Sequence, residues 1–325
     1  MPVRQAESPP PAPLPACPRV AVCVVTYQRP SQLAGLLRSL GMLMFPKSSR
    51  PDVEVIVVDN DPAGSARAVC ETVGREIGWP VRYVREMRPG IAPARNQAVL
   101  AAGSHADFIA FIDDDEAAEP LWLDELLSVQ AAHDADVVGG PVLPRFAPEA
   151  PAWVTGSGLF ERRRRPTGAP IMHTGAGNVL VRARLFRELR RMFDERLALT
   201  GGEDTHFFLD AALRGHKLVW ADQAVAYEFV PATRATARWI LGRAYRVGTT
   251  WSFCERDLNP SAWTLSLRLA KGVGRIAHGL LLLPTSLLSG RSALLRAVGR
   301  ICMGAGNVAG AVGVRYEEYR RAHVG

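Results

Sequence analysis

Three consecutive carboxylates, Asp113, Asp114 and Asp115, follow directly on the apolar run Phe108 to Ile112. A buried strand that ends in clustered carboxylates is suited to hold a cation. Hard divalent ions such as Mg²⁺ and Mn²⁺ prefer oxygen ligands and keep positions open for phosphate. Carboxylates at i and i+2 can share one side of an extended turn, whereas the plainer reading is an acidic loop capping a helix that begins near Pro120. In a low-dielectric cleft the cluster repels itself unless a cation or an arginine stands beside it. A second pair, Glu203-Asp204, opens the amphipathic stretch Phe207 to Leu213, which Gly215 ends. Acids at a helix start are stabilised there in any case, but the flexible Gly201-Gly202 ahead of them favours a chemical role. Between these sites in the chain, Gly90 to Val99 is a loop running into a helix with Arg95 and Asn96 near its start. Arg95 could neutralise a diphosphate, orient Asp113, or tie helix to sheet as a buried ion pair, and every one of these keeps it near the carboxylates.

The elements that must position these residues follow from the apolar runs. Val20 to Val25 and Val53 to Val58 also stop at polar residues, Thr26 and Asp59. Helix-like stretches follow each run, at Ser31 to Leu40, Ser65 to Ile77 and Pro120 to His133, which is the alternation of an α/β fold with a parallel sheet. Ligands of such sheets bind outside the carboxyl ends of the strands, where Thr26, Asp59 and Asp113 to Asp115 would converge.

From about Arg19 to Val230 the ordered segments VVTYQRP (Val24 to Pro30), VIVVDND (Val55 to Asp61), GIAPARNQAV (Gly90 to Val99), FIDDDE (Phe111 to Glu116) and GGEDTHF (Gly201 to Phe207) resemble the inverting family 2 glycosyltransferases. The resemblance implies a GT-A fold: a Rossmann-like, mixed but mainly parallel sheet flanked by helices that binds a nucleoside-diphosphate sugar. It implies that Thr26 and Asp59 lie beside the nucleobase and ribose, with Arg95, Asp113 and Asp114 also on the donor. Asp113 would contact the ribose and Asp115 the metal, Mg²⁺ or Mn²⁺. The segment His173 to Leu180, with Gly177 and Asn178, would wall the sugar and acceptor pocket beside Glu203. Asp204 would be the general base of a single inverting displacement. Arg29 is either a surface charge or a diphosphate contact. Arg238-Trp239 matches the end of a motif of processive members, but Ala235 stands where glutamine is expected, so one sugar per encounter is the simpler expectation.

Charge separates the chain into two parts. Residues 231 to 325 carry 14 Lys and Arg against 4 Asp and Glu, a surplus larger than the whole chain's +7. That segment mixes arginines with apolar stretches such as Leu280 to Leu283, which suggests helices lying on a membrane surface. Pro284, Arg291, Arg296 and Arg300 interrupt any run of the roughly 20 apolar residues that a spanning helix needs. The three divisions expected are a disordered proline-rich tail over 1–18, a catalytic domain over 19–230 and a basic, apolar helical segment over 231–325. Five scattered cysteines form no metal or disulfide spacing, in keeping with a reduced cytoplasmic setting at the inner face of the plasma membrane. Arg162 to Arg165 reads as a solvated loop, or less readily as a phosphate attractor. Trp153 could stack on a sugar or pack inside. His173 and His206 read as structural. No nucleic-acid recognition motif accompanies the basic segments.

The function expected is transfer from a nucleotide sugar, UDP-linked by first choice, to a glycan or polyprenyl-linked acceptor in cell-surface polysaccharide or glycolipid synthesis. One alternative is a sugar-nucleotide nucleotidyltransferase, which VVTYQRP disfavours by lacking a glycine-rich, lysine-containing phosphate loop. The other is an inert nucleotide-sugar-binding protein of the same fold.

Overall fold

The structure, a computed structural model, describes residues 17–316 apart from Arg190. The expected N-terminal tail therefore lies, but for Cys17 and Pro18, outside the described residues. The order begins β1 (Arg19–Thr26), α1 (Pro30–Leu40), β2 (Asp52–Asp59), α2 (Arg67–Val73), β3 (Val81–Arg85), α3 (Ile91–Ala102), β4 (Phe108–Ile112) and β5 (Glu116–Ala118). It continues α4 (Trp122–His133), β6 (Val137–Gly139), β7 (Val142–Phe146), α5 (Ala152–Thr155), β8 (Asn178–Arg182), α6 (Leu185–Glu188) and a 3-10 turn at Glu195–Leu197. After α7 (Glu203–Leu213), β9 (Leu218–Trp220) and β10 (Ala226–Val230) come three long helices, α8 (Ala237–Leu258), α9 (Ala262–Leu288) and α10 (Arg291–Ala311).

Seven strands form one sheet in the order β3-β2-β1-β4-β8-β6-β9. β3, β2, β1 and β4 run parallel, β8 is antiparallel to both β4 and β6, and β9 is parallel to β6. β1 shows why a parallel sheet forms: Val20, Val22 and Val24 pack with α1, α2 and α4 on one face, while Ala21 and Cys23 pack with α3 and α7 on the other. Burial on both faces is what a nearly unbroken apolar strand requires. The register pairs Thr26 with Asp59, so these strand ends lie level.

A smaller sheet, β5-β10-β7, lies beyond the end of β4, with β10 antiparallel to β5 and parallel to β7. Its strands are short, and β3, β6 and β9 are short as well, so none of them shows a periodic signal in the sequence. α10 lies between α8 and α9, and α8 also touches α7. α9 passes through Pro284 without ending there. Among the described residues no helix is long and apolar enough to cross a membrane.

Candidate active site

The turn between β4 and β5 presents the acidic cluster. Thr26 Oγ1, at the end of β1, donates to Asp114 Oδ2 over 2.8 Å. Arg29 lies at the start of α1, one residue after Gln28, whose φ of 54° turns the chain sharply there. Its Nη1 donates to Asp114 Oδ1 (3.0 Å) and Asp115 Oδ2 (2.9 Å). Arg234, from the segment between β10 and α8, donates to the same Asp115 oxygen (2.9 Å) and to Glu228 Oε1 (3.3 Å). Glu228 stands opposite Glu116 in the β10–β5 ladder, and like charges opposed in this way destabilise a strand pair.

The cluster is short of positive charge. Burial raises the Glu116 carboxyl well above its ordinary range, and Asp113, Asp115 and Glu228 push it further. Burial also raises Glu228, with Asp115 adding to the effect. Asp114 is pushed up to about 6 by burial, with Arg29 opposing and Asp115 reinforcing the rise. Hard carboxylate oxygens in this number, only partly neutralised by arginines, fit a divalent cation of the Mg²⁺ or Mn²⁺ kind. Asp115 and Glu228, which share Arg234, and the more exposed Asp113 are the carboxylates that would hold it.

Arg95 joins this cluster to the second acidic pair. From α3 its Nη2 donates to Asp113 Oδ1 (3.0 Å), and its Nη1 binds Glu203 Oε1. Glu203 is buried at the start of α7, and burial raises its carboxyl to about 7 although Arg95 draws it down. Gly202 before it adopts φ of 91°, and a Cβ there would lie 2.0 Å from Thr250 of α8, so only glycine lets α8 pack against this helix start. Asp204 stays partly open to solvent. Its Oδ1 accepts from the Thr205 N–H (2.6 Å) and its Oδ2 from the Ala176 N–H (3.2 Å).

The strip Gly175-Ala176-Gly177 spans the two centres. A Cβ on Gly177 would lie 2.6 Å from Glu116 Oε1 and 2.9 Å from Asp113 Oδ2, and one on Gly175 would lie 3.5 Å from Asp204 Oδ2. Gly177 thus lines the cluster, and the absence of its side chain makes the close approach possible. Arg162 Nη1 lies against the same strip, 3.0 Å from that Gly175 position.

The structure brings Arg95, Asp113, Asp115, Gly177 and Asp204 together and sets the other expected residues deeper in the fold. The fully buried Asp59 carboxylate accepts from the Asp61 and Ala66 N–H groups and the Tyr83 hydroxyl, and so builds the loop after β2. Asn178 donates to the Pro141 and Ala224 carbonyls and accepts from Trp122 Nε1 inside the core. Glu203 is buried and holds Arg95. Thr26 and Asp114 are buried too, Thr26 bonded to Asp114 and Asp114 to Arg29. Trp153 packs among Phe146, Phe160 and Trp239. His173 sets its ring edge-on to Trp251 at 4.5 Å, and burial lowers its pKa.

His206 bonds Asp257 Oδ2 at 2.9 Å, and with Asp194 the three form a tight group. Arg196 donates to both carboxylates of that group, which makes it an ion-pair network pinning α8 to the 3-10 turn. Sequence reading missed Glu228 and Arg234. No local pattern marks either; only the β5–β10 pairing carries them to Asp115.

Residues 21–190 match the family described as Glycosyl transferase family 2, and residues 108–304 match Glycosyl transferase family group 2. The chain belongs to glycosyltransferase family 2. It is similar to the succinoglycan biosynthesis protein ExoM of Rhizobium meliloti (strain 1021), with 33% identity over 305 residues, 92% of this chain and 95% of that one. It also resembles a glucosyl-dolichyl phosphate glucuronosyltransferase of Haloferax volcanii, 28% identical over 63% of this chain and 60% of that protein's length. Among solved structures, the mannosyltransferase PcManGT of Pyrobaculum calidifontis, in complex with GDP-Man and Mn²⁺, superposes with a TM-score of 0.62 at 17% identity, covering 90% of this chain and 87% of its own. This likeness shows the GT-A fold.

Proposed function

We propose that this glycosyltransferase moves one sugar per encounter, with inversion, from a nucleoside-diphosphate donor to a hydroxyl of a lipid-linked glycan during cell-surface polysaccharide synthesis. The observation that carries the reading is Arg95, whose guanidinium binds Asp113 of the acidic cluster and Glu203 beside Asp204. It holds a diphosphate-binding region and a candidate base at a fixed separation on one rigid support. Asp204 takes the proton of the acceptor hydroxyl as its oxygen attacks the anomeric carbon from the face opposite the diphosphate. Arg29 and Arg234, partly exposed beside the cluster, are positioned to receive diphosphate oxygens. A bound Mg²⁺ or Mn²⁺ would offset charge on the departing diphosphate.

The names of the relatives support the finer points, ExoM for polysaccharide synthesis and the Haloferax enzyme for an acceptor on a lipid phosphate. A UDP donor is supported by the fold neighbour TarS of S. aureus, solved in complex with UDP, at a TM-score of 0.50 and 19% identity over 92% of this chain and 93% of that one. Work at the cytoplasmic face of the membrane, in peripheral contact, is supported by α9, which exposes Trp263, Leu281, Leu287 and Leu288 and also carries the exposed Lys271. The test is calorimetric titration with UDP and with GDP, each with and without Mn²⁺, on the wild type and on Asp115→Ala. Metal-dependent binding of one nucleotide, weakened about tenfold or more by the substitution, is expected. Absence of binding by either nucleotide overturns the reading.

A further inference from the structure

α8 and α10 enclose a cavity of about 320 Å³ with the loop that follows α5, outside the acidic centres. α8 contributes Ile240, Arg243, Ala244 and Val247, and α10 contributes Arg296, Gly299, Arg300 and Met303. Both sets follow the i, i+3, i+4, i+7 spacing that places residues on one helix face. Leu159, Phe160 and Trp239 close the end. Every charged residue of the lining is an arginine, and the remainder is apolar or glycine. A cavity of this kind suits an amphiphile with an anionic head, because the apolar wall gains by losing water and the arginines match phosphate oxygens.

Its place in the molecule narrows the ligand further. Trp239 stacks on Phe160 with ring centroids 5.7 Å apart. The Arg243 guanidinium lies over both rings, at 5.4 Å from Trp239 and 5.8 Å from Phe160. On Trp239 also rests Arg234, 5.9 Å away, the arginine that binds Asp115. Phe160 leads within two residues to Arg162, which lies against Gly175 beside Asp204. The cavity is thus one side chain from the acidic cluster and one short segment from the candidate base.

We propose that this cavity holds the phosphate and the adjoining chain segment of the lipid that carries the acceptor glycan, with Arg296 and Arg300 on the phosphate and the Phe160–Trp239 stack against the chain. This rests on the lipid-linked acceptor reading above and assigns it a site. A volume near the lower end of small-molecule pockets accommodates one chain's first segment and its head.

Gly299 supplies a selective test. A Cβ built there meets nothing within 4 Å, so a larger side chain fits at its root and extends into the cavity. Gly299→Leu fills the space and also favours the helix, since leucine has the better helix propensity. The probe is farnesyl phosphate below its aggregation threshold, with binding read by calorimetry; farnesol and inorganic phosphate serve as controls. Farnesyl phosphate is expected to bind the wild type about tenfold or more tightly than farnesol, and inorganic phosphate is expected not to displace it. Gly299→Leu, and separately Arg296→Ala with Arg300→Ala, should each weaken it by about tenfold or more. UDP binding with Mn²⁺ should stay unchanged in Gly299→Leu, so that loss of the donor reading and loss of this site are told apart. Equal farnesyl phosphate affinity in wild type and Gly299→Leu overturns the proposal, as does displacement by inorganic phosphate alone.

Discussion

The two acidic centres use arginine in opposite ways. At Asp114 and Asp115 the partners are Arg29 and Arg234, whose side chains are 38% and 22% exposed and come from segments distant in sequence. At Glu203 the partner is Arg95, 6% exposed and locked between two carboxylates. An arginine that solvent reaches can yield its carboxylate to a cation or turn to a diphosphate. One that is buried can do neither without leaving a charge unpaired. The first arrangement fits exchange of ligands and the second fits a fixed distance, so the molecule divides binding from positioning between two sets of ion pairs, the second of which reaches the acidic cluster through Asp113.

The difference is tested most severely at the base. Asp204→Asn keeps the shape of the side chain and its contact with Ala176 but cannot accept a proton. Transfer to acceptor should fall on the order of 10²–10⁴-fold while nucleotide affinity stays nearly constant. Turnover and calorimetric affinity measured side by side check this, and unaltered turnover removes Asp204 from the role.

Next comes the positioning arm. Arg95→Met leaves Glu203 buried with no cation and frees Asp113 from its tether. Above about pH 7, where Glu203 is ionised, loss of one partner of a buried pair costs up to about 3–5 kcal/mol, and a thermal or denaturant midpoint measured above that pH reports it. A stability change under about 1 kcal/mol would mean that the site relaxes as the exposed cluster does, and would erase the contrast drawn above.

Arg234→Gln should act in the opposite sense on the exposed side. It frees an Asp115 oxygen and Glu228, so Mn²⁺ alone should bind more tightly, by up to about fivefold given the small worth of a partly exposed ion pair. In the same variant UDP should gain less from Mn²⁺ than in the wild type, because a diphosphate contact is lost. Titration of Mn²⁺ with and without UDP separates the two effects, and weaker binding of Mn²⁺ alone would show that Arg234 does not compete for the carboxylates.

The sequence carried the frame of this site and left out its reverse side. The runs ending at Thr26, Asp59 and Ile112 mark β1, β2 and β4 almost to the residue, because strands buried on both faces must be apolar without interruption. Carboxylates gathered after such a strand have few structural uses, so Asp113 to Asp115 stood out. The hydrogen bonds of Asp59 and Asn178 could not be foreseen for a physical reason: the oxygen that receives a ligand in one setting caps a turn or joins two strands in another, and residue type and spacing do not distinguish them. Glu228 and Arg234 were missed because a three-residue strand, β5, pairs with a partner more than a hundred residues later. Short strands carry no periodic signal, and pairing across that separation leaves no trace in a single sequence.

The last effect expected is one of pH, and it concerns the buried member of the contrast. Burial lifts the Glu203 carboxyl from an ordinary value of 4.5 to about 7 despite Arg95. Between those values the folded chain keeps a proton that the unfolded chain has released, so the stability this group contributes is full below about 4.5 and is lost as pH rises to about 7. Glu203→Gln, neutral throughout, lacks that dependence. The difference in unfolding free energy between wild type and variant should therefore shift toward the variant across this window and level off above it, because no further proton is then released from Glu203. Identical pH slopes would mean that Glu203 is ionised in the fold throughout, held so by Arg95 alone, and the pair would then act as a plain ion pair with no titration of its own.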